Sequence, residues 1–201
     1  MSYSSWLKPN KTSGSGNDTV NVGANAHTGR SARSTILTFS AVNCTDVPVT
    51  CNQTGAVEAV AMDNTTASVV KAGATVTITG TSNSSKLTFS LGSTNNIPLT
   101  LPTSYTAGGT STTNGAAITG DPGATSAYIF SISFTVAENT SISDKSSQLI
   151  VTDNAGNTAT CTLTQVAGNA YLTISPTTIT IPADGTAQAV TVTSNTSWTI
   201  A

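Results

Sequence analysis

Phe130-Ser-Ile-Ser-Phe-Thr-Val136 sets an apolar side chain at every second position and a hydroxyl between each pair. Successive Cβ atoms of a strand point to opposite faces, so this pattern predicts a strand with one oily face and one polar face. The same period of two runs through Leu37/Phe39/Ala41, Val47/Val49/Cys51, Val76/Ile78, Leu87/Phe89/Leu91, Leu149/Val151, Cys161/Leu163, Leu172/Ile174, Ile179/Ile181 and Val190/Val192. Turn sequences such as Ser13-Gly-Ser-Gly-Asn17, Asp153-Asn-Ala-Gly-Asn157 and Ala183-Asp-Gly185 interrupt these runs. No amphipathic helix of useful length is present.

Short alternating strands between turns predict an all-β chain of antiparallel sheets packed face to face, in immunoglobulin-like sandwiches. The 201 residues suit two such domains. About a third of them are Ser or Thr and only 8% are charged, a composition for pleated, half-buried surfaces. With a net charge of -2 and seven scattered basic residues, the chain lacks the cationic face that holds a phosphate backbone, so nucleic acid is not an expected partner. No run approaches the ~18 apolar residues of a membrane helix, and Met1-Ser-Tyr-Ser-Ser-Trp-Leu-Lys-Pro9 shows neither a basic start nor an apolar core of a secretory signal.

An internal repeat organises the chain. Thr50-Cys-Asn-Gln53-Thr-Gly55 returns as Thr162-Leu-Thr-Gln165-Val-Ala-Gly168, with the glutamines 165 minus 53, or 112, positions apart. Val76-Thr-Ile-Thr-Gly-Thr-Ser82-Asn83 returns as Val190-Thr-Val-Thr-Ser194-Asn195, with the asparagines also 195 minus 83, or 112, apart. Val20 to Asn25 matches Phe134 to Asn139 at 114. The repeat is out of frame with the termini. Residues 57–169 form one whole unit, whose Gly/Thr/Pro-rich stretch 102–127 reads as a long functional or disordered loop. Residues 1–56 match the later part of a unit and 170–201 its beginning.

In the order 170–201 then 1–56, the landmarks are Tyr171-Leu-Thr-Ile-Ser-Pro176, Ser194-Asn195-Thr-Ser-Trp198, Ser5-Trp6-Leu7, a Gly-rich turn, Asn25, Arg33 and Gln53-Thr-Gly55. This order resembles the BACON domain, a small immunoglobulin-like sandwich associated with carbohydrate-active proteins of Bacteroidetes. The middle unit departs from it, with Lys86 where the first Trp would stand. The resemblance implies one composite domain whose core holds Trp6, Leu37, Phe39, Ile174, Val190, Val192 and Trp198. A 56-residue fragment lacking its first strands leaves an open apolar face. Two arrangements complete it: closure within the chain, which a high effective concentration favours, or donation of the C-terminal strands into a neighbour.

No catalytic, cofactor-binding or metal-ligating set is expected. The two glutamates, Glu58 and Glu138, are far apart in sequence, the aspartates lie in turns, and the one histidine, His27, reads as a loop residue. Arg33 is expected to bond loop carbonyls, and Asp153 to Asn157 to make a hairpin turn rather than a calcium loop. Cys161 reads as a buried thiol, while Cys44 and Cys51 flank a short segment and leave a disulfide open. The resemblance extends to virion proteins of gut phages, including crAss-like ones. It implies a non-enzymatic auxiliary capsid protein on the virion surface, with the major capsid protein or other virion proteins as partner. The alternative is a carbohydrate-binding or adhesion module of an extracellular protein, with glycans as ligand.

Overall fold

The period-two runs fall in or beside strands, except Ile179/Ile181, since residues 176–190 form no strand. The computed structural model describes residues 3–201, so the first two residues of the expected 1–56 segment lie outside it, and among the described residues there is no helix. The strands of the first segment are β1 (Leu7–Pro9), β2 (Val22–Ala24), β3 (Arg33–Phe39) and β4 (Val47–Gln53). The middle unit follows with β5 (Val60–Met62), β6 (Thr66–Val69), β7 (Ala74–Ser82), β8 (Leu87–Asn95), β9 (Ser104–Ala107), β10 (Thr110–Thr113), β11 (Tyr128–Val136), β12 (Lys145–Asp153) and β13 (Thr158–Gln165). The last segment supplies β14 (Leu172–Ser175) and β15 (Thr191–Ser194).

The middle unit is an immunoglobulin-like sandwich. One sheet has the order β10-β9-β11-β7-β5 and the other β6-β13-β12-β8, antiparallel throughout except for the parallel pair β6 and β13. Phe89, Phe130, Ile132, Leu149, Cys161 and Leu163 project between the sheets and are fully or almost fully buried. The Phe89 ring lies 4.9 Å from Tyr105 and meets Phe130 edge-on at 5.6 Å, the tilted geometry that aromatic quadrupoles favour. Gly80 lets this happen, because a Cβ there would collide with the Phe130 ring and the Ala61 carbonyl. Burial raises the Cys161 thiol above its ordinary range, as expected of a core cysteine.

Residues 102–127 are not a free loop. They fold as the hairpin β9–β10 around Gly108 and Gly109, both at positive φ, and pair onto β11. Tyr105, Ala107, Ile118 and Ala124 are buried, so the segment forms one side of the core. Its strands escape a pattern search because Thr, which suits either face of a pleat, occupies both phases. The Asp153 to Asn157 segment turns β12 into β13, with the Asn157 N–H and Nδ2 donating to the two Asp153 carboxylate oxygens at 2.8 Å each.

The flanking segments form only two-stranded ladders: β1 with β2, β3 with β4, and β14 with β15. Among the described residues no hydrogen bond joins the first segment to the last.

Candidate binding surface at the open half-units

The 112-residue offset reappears in the hydrogen bonds. Arg33 pairs with Gln53 and Leu37 with Val49 in β3–β4, as Lys145 pairs with Gln165 and Leu149 with Cys161 in β12–β13. At the other end of the unit, Leu172 pairs with Ser194 as Val60 pairs with Ser82. Asn195 Oδ1 accepts from the Tyr171 N–H and its Nδ2 donates to the Asn169 carbonyl; Asn83 makes the same two bonds to Ala59 and Val57. Gln53 Nε2 donates to the Asn25 carbonyl at 2.9 Å, as Gln165 Nε2 does to Ala137 at 2.7 Å. These bonds tie down backbone groups at the same places in each unit. Residues 3–56 and 170–201 thus repeat, each locally, ladder registers of the complete unit.

His27 belongs to this set. Its Nε2 lies 2.7 Å from the Ser31 carbonyl and its Nδ1 accepts from the Gly29 N–H. Asn139, 112 residues later, donates to Ser143 and accepts from the Ser141 N–H, so Asn139 corresponds to His27 rather than to Asn25, and the sequence match at 114 gives way to the common offset of 112. The imidazole thus occupies a loop-bracing position, in agreement with its reading as a loop residue.

The residues that carry the family resemblance in the first half converge. Arg33 donates to Gln53 Oε1 at 2.9 Å and to the Asn25 carbonyl at 3.1 Å, and its guanidinium lies 4.6 Å from the Trp6 ring centre, a cation–π contact. Gly55 is required beside them, since a Cβ would overlap the Arg30 carbonyl. Arg33 thus bonds loop carbonyls as expected from the sequence.

Arg30, by contrast, clamps the first half to the middle unit. Its guanidinium meets Asp121 at 2.6 and 2.8 Å and the Asn83 carbonyl at 2.6 Å, while its Nε lies 2.7 Å from the buried Glu58 carboxylate. The arginine holds the Asp121 carboxyl below its usual range, and Asp121 raises Arg30 in turn. No sequence signal joins residues 30, 58 and 121, because their meeting depends on how two units stack.

The composite core expected from the sequence is not assembled within the single chain. Leu37 is buried and Trp6 and Val192 are half-buried, but Phe39 (42% exposed), Ile174, Val190 and Trp198 (48%) face solvent. A cleft of about 810 Å³ opens over the oily face of β3–β4, lined by Val20, Leu37, Phe39, Ala41, Cys44 and Val47. Lys11 and Asp18, 2.6 Å apart, form part of its lining, and Lys11 lowers the Asp18 carboxyl. Cys44 and Cys51 are both free thiols, so no disulfide closes this region.

Residues 1–54 match the family model described as BACON: Putative binding domain, N-terminal. The BACON match therefore falls on the half-unit that carries the cleft, the Trp6–Arg33 contact and the Gln53 brace. It stops short of the middle unit. No curated protein matches the chain.

Proposed function

We propose that the chain is a non-catalytic extracellular binding protein that displays tandem immunoglobulin-like units, with a glycan-rich surface as its ligand. The observation that carries this is the coincidence of a family described as a putative binding domain with the half-unit that exposes an apolar cleft and the Phe39 ring. Apolar clefts with a few convergent polar groups are the usual form of small-ligand sites. The low charge and hydroxyl-rich surface suit contacts made by many weak polar and apolar groups, which repetition strengthens. Decoration of a capsid lattice, with the major capsid protein as ligand and the virion surface as location, is a separate reading that the family match does not reach.

Purified chain applied to a glycan and mucin array tests the proposal. Saturable binding that Phe39→Ala or Trp198→Ala weakens at least tenfold supports it. Absence of glycan binding together with co-sedimentation on assembled capsids would replace the glycan with the lattice. Absence of both would overturn the role.

A further inference from the structure

We propose that the open half of one copy is completed by the C-terminal half of a second copy, which adds strands to it in the register of the middle unit and links chains head to tail. The donor strands would cover the β3–β4 face that lines the cleft, so this association and ligand binding in that cleft exclude one another on the same copy.

The middle unit shows what covers the hairpin. There β13 is flanked by β6 in a parallel ladder, Thr162 to Thr66, Leu163 to Ala67 and Gln165 to Val69. Subtracting 112 from the β13 partners and adding it to the β6 partners gives Thr50 to Thr178, Cys51 to Ile179 and Gln53 to Ile181. Ile179 and Ile181 are exposed, and they alternate with Thr as a strand would. The Gly73 turn that follows β6, with its N–H bonded to Val70, is already preformed at Gly185, whose N–H bonds to Pro182 and whose φ is also 79°. The donor is therefore shaped for the position before it is filled.

The second sheet has a vacancy too. In β11 the carbonyl of Ile129 bonds toward β9, so its odd-numbered residues face that side and its even-numbered residues face β7. In β2 and its flanks the odd residues Asn21 and Asn25 bond toward β1. The edge that β11 gives to β7 is thus unpaired in β2. By the same offset, Val20 and Val22 on that edge would face Val190 and Gln188. Leu172, Ile174 and Val190 of the donor would then cover Leu37, Phe39, Val47 and Val49 of the acceptor, all but Leu37 exposed in the single chain. An unpaired strand edge over an open apolar face is an association template.

Geometry selects a second copy over self-closure. The first half docks through Arg30 at the Asn83 and Asp121 end of the middle unit, where Ala124 also accepts from Asn83. The last segment docks at the opposite end, through Asn195 Nδ2 to the Thr140 carbonyl. Between these ends runs the nine-pair ladder of β7 and β11, roughly 27 Å long at ~3.3 Å per step. The donor and acceptor faces of one chain thus lie at opposite poles. A heterologous contact of this kind generates a ring where the rotation closes and a filament where it does not.

Two variants of the full chain test this by light scattering and sedimentation. Ile179→Asp with Ile181→Asp blocks the donor, and Phe39→Asp with Val49→Asp blocks the acceptor; the middle unit, monitored by circular dichroism, is untouched by either pair. The unaltered chain is expected to grow in mass with concentration, each variant to remain monomeric, and an equimolar mixture of the two to stop at dimers. An unaltered chain that stays monomeric at all concentrations, or a mixture that stays monomeric while the unaltered chain associates, would overturn the proposal.

Discussion

The hairpins β12–β13 and β3–β4 share a ladder register residue for residue, yet only one has a dry face. Leu149 and Val151 are 0% exposed, whereas the equivalent Leu37 is 7% and Phe39 is 42% exposed. Local pairing is the same in both. The difference is the opposing sheet: β7 and β11 cover the first hairpin, and among the described residues nothing equivalent covers the second. Strand pairing and turn chemistry can therefore be satisfied locally, while burial of the apolar face needs a second layer.

The largest effect should separate the two hairpins by substitution. Leu149→Ala should cost about 2–5 kcal/mol, because a filled and enclosed core site is emptied. Phe39→Ala should cost no more than about 1 kcal/mol in dilute protein, since much of its ring is already wet. Urea denaturation of both variants measures the gap. If strand donation occurs, the Phe39→Ala cost should rise with protein concentration.

The joint between the units comes next. Arg30→Ala strands the buried Glu58 carboxylate and frees Asp121, and should cost roughly 3 kcal/mol as a broken, mostly buried charge cluster. Its acid sensitivity has a definite sign. The folded Asp121 carboxyl is depressed by Arg30, so its contribution is complete above the unfolded value of about 4 and is lost as pH falls through the lower folded value. Protection against hydrogen exchange at Gly123 and Ala124, relative to the intrinsic rate at each pH, should fall across that acid window in the unaltered protein. Arg30→Ala should show fast exchange at every pH.

A smaller contrast lies in the glutamines. Gln165→Ala removes a fully buried brace to the Ala137 carbonyl and should cost about 1–3 kcal/mol. Gln53→Ala, whose partner carbonyl at Asn25 can reach water, should cost about 1 kcal/mol or less. Thermal melts of the two variants compare them directly. The smallest change is expected for His27→Asn, which restores the residue found at the equivalent position 139. Its melting curve should stay within about 0.5 kcal/mol of the parent.

Much of this was legible without coordinates. The strands, the Asp153 turn, the role of Arg33 and the buried Cys161 follow from period-two alternation and local turn chemistry. The spacing of 112 also survives in the hydrogen bonds of Gln53, Gln165, Asn83 and Asn195. The hairpin within 102–127 was not legible, because Thr fills both strand phases there. Neither was the cluster of Arg30, Glu58 and Asp121, whose members are brought together only by stacking.

By itself, then, the order of residues determined the all-β class, the long strands and the repeat, since each depends on contacts between near neighbours or on copies of one pattern. The tertiary structure alone decided which oily face is covered and which lies open. It also set the two half-units at opposite poles of the middle sandwich. Coverage requires a second sheet from a distant part of a chain, and the length of the β7–β11 ladder sets how far apart the halves are held.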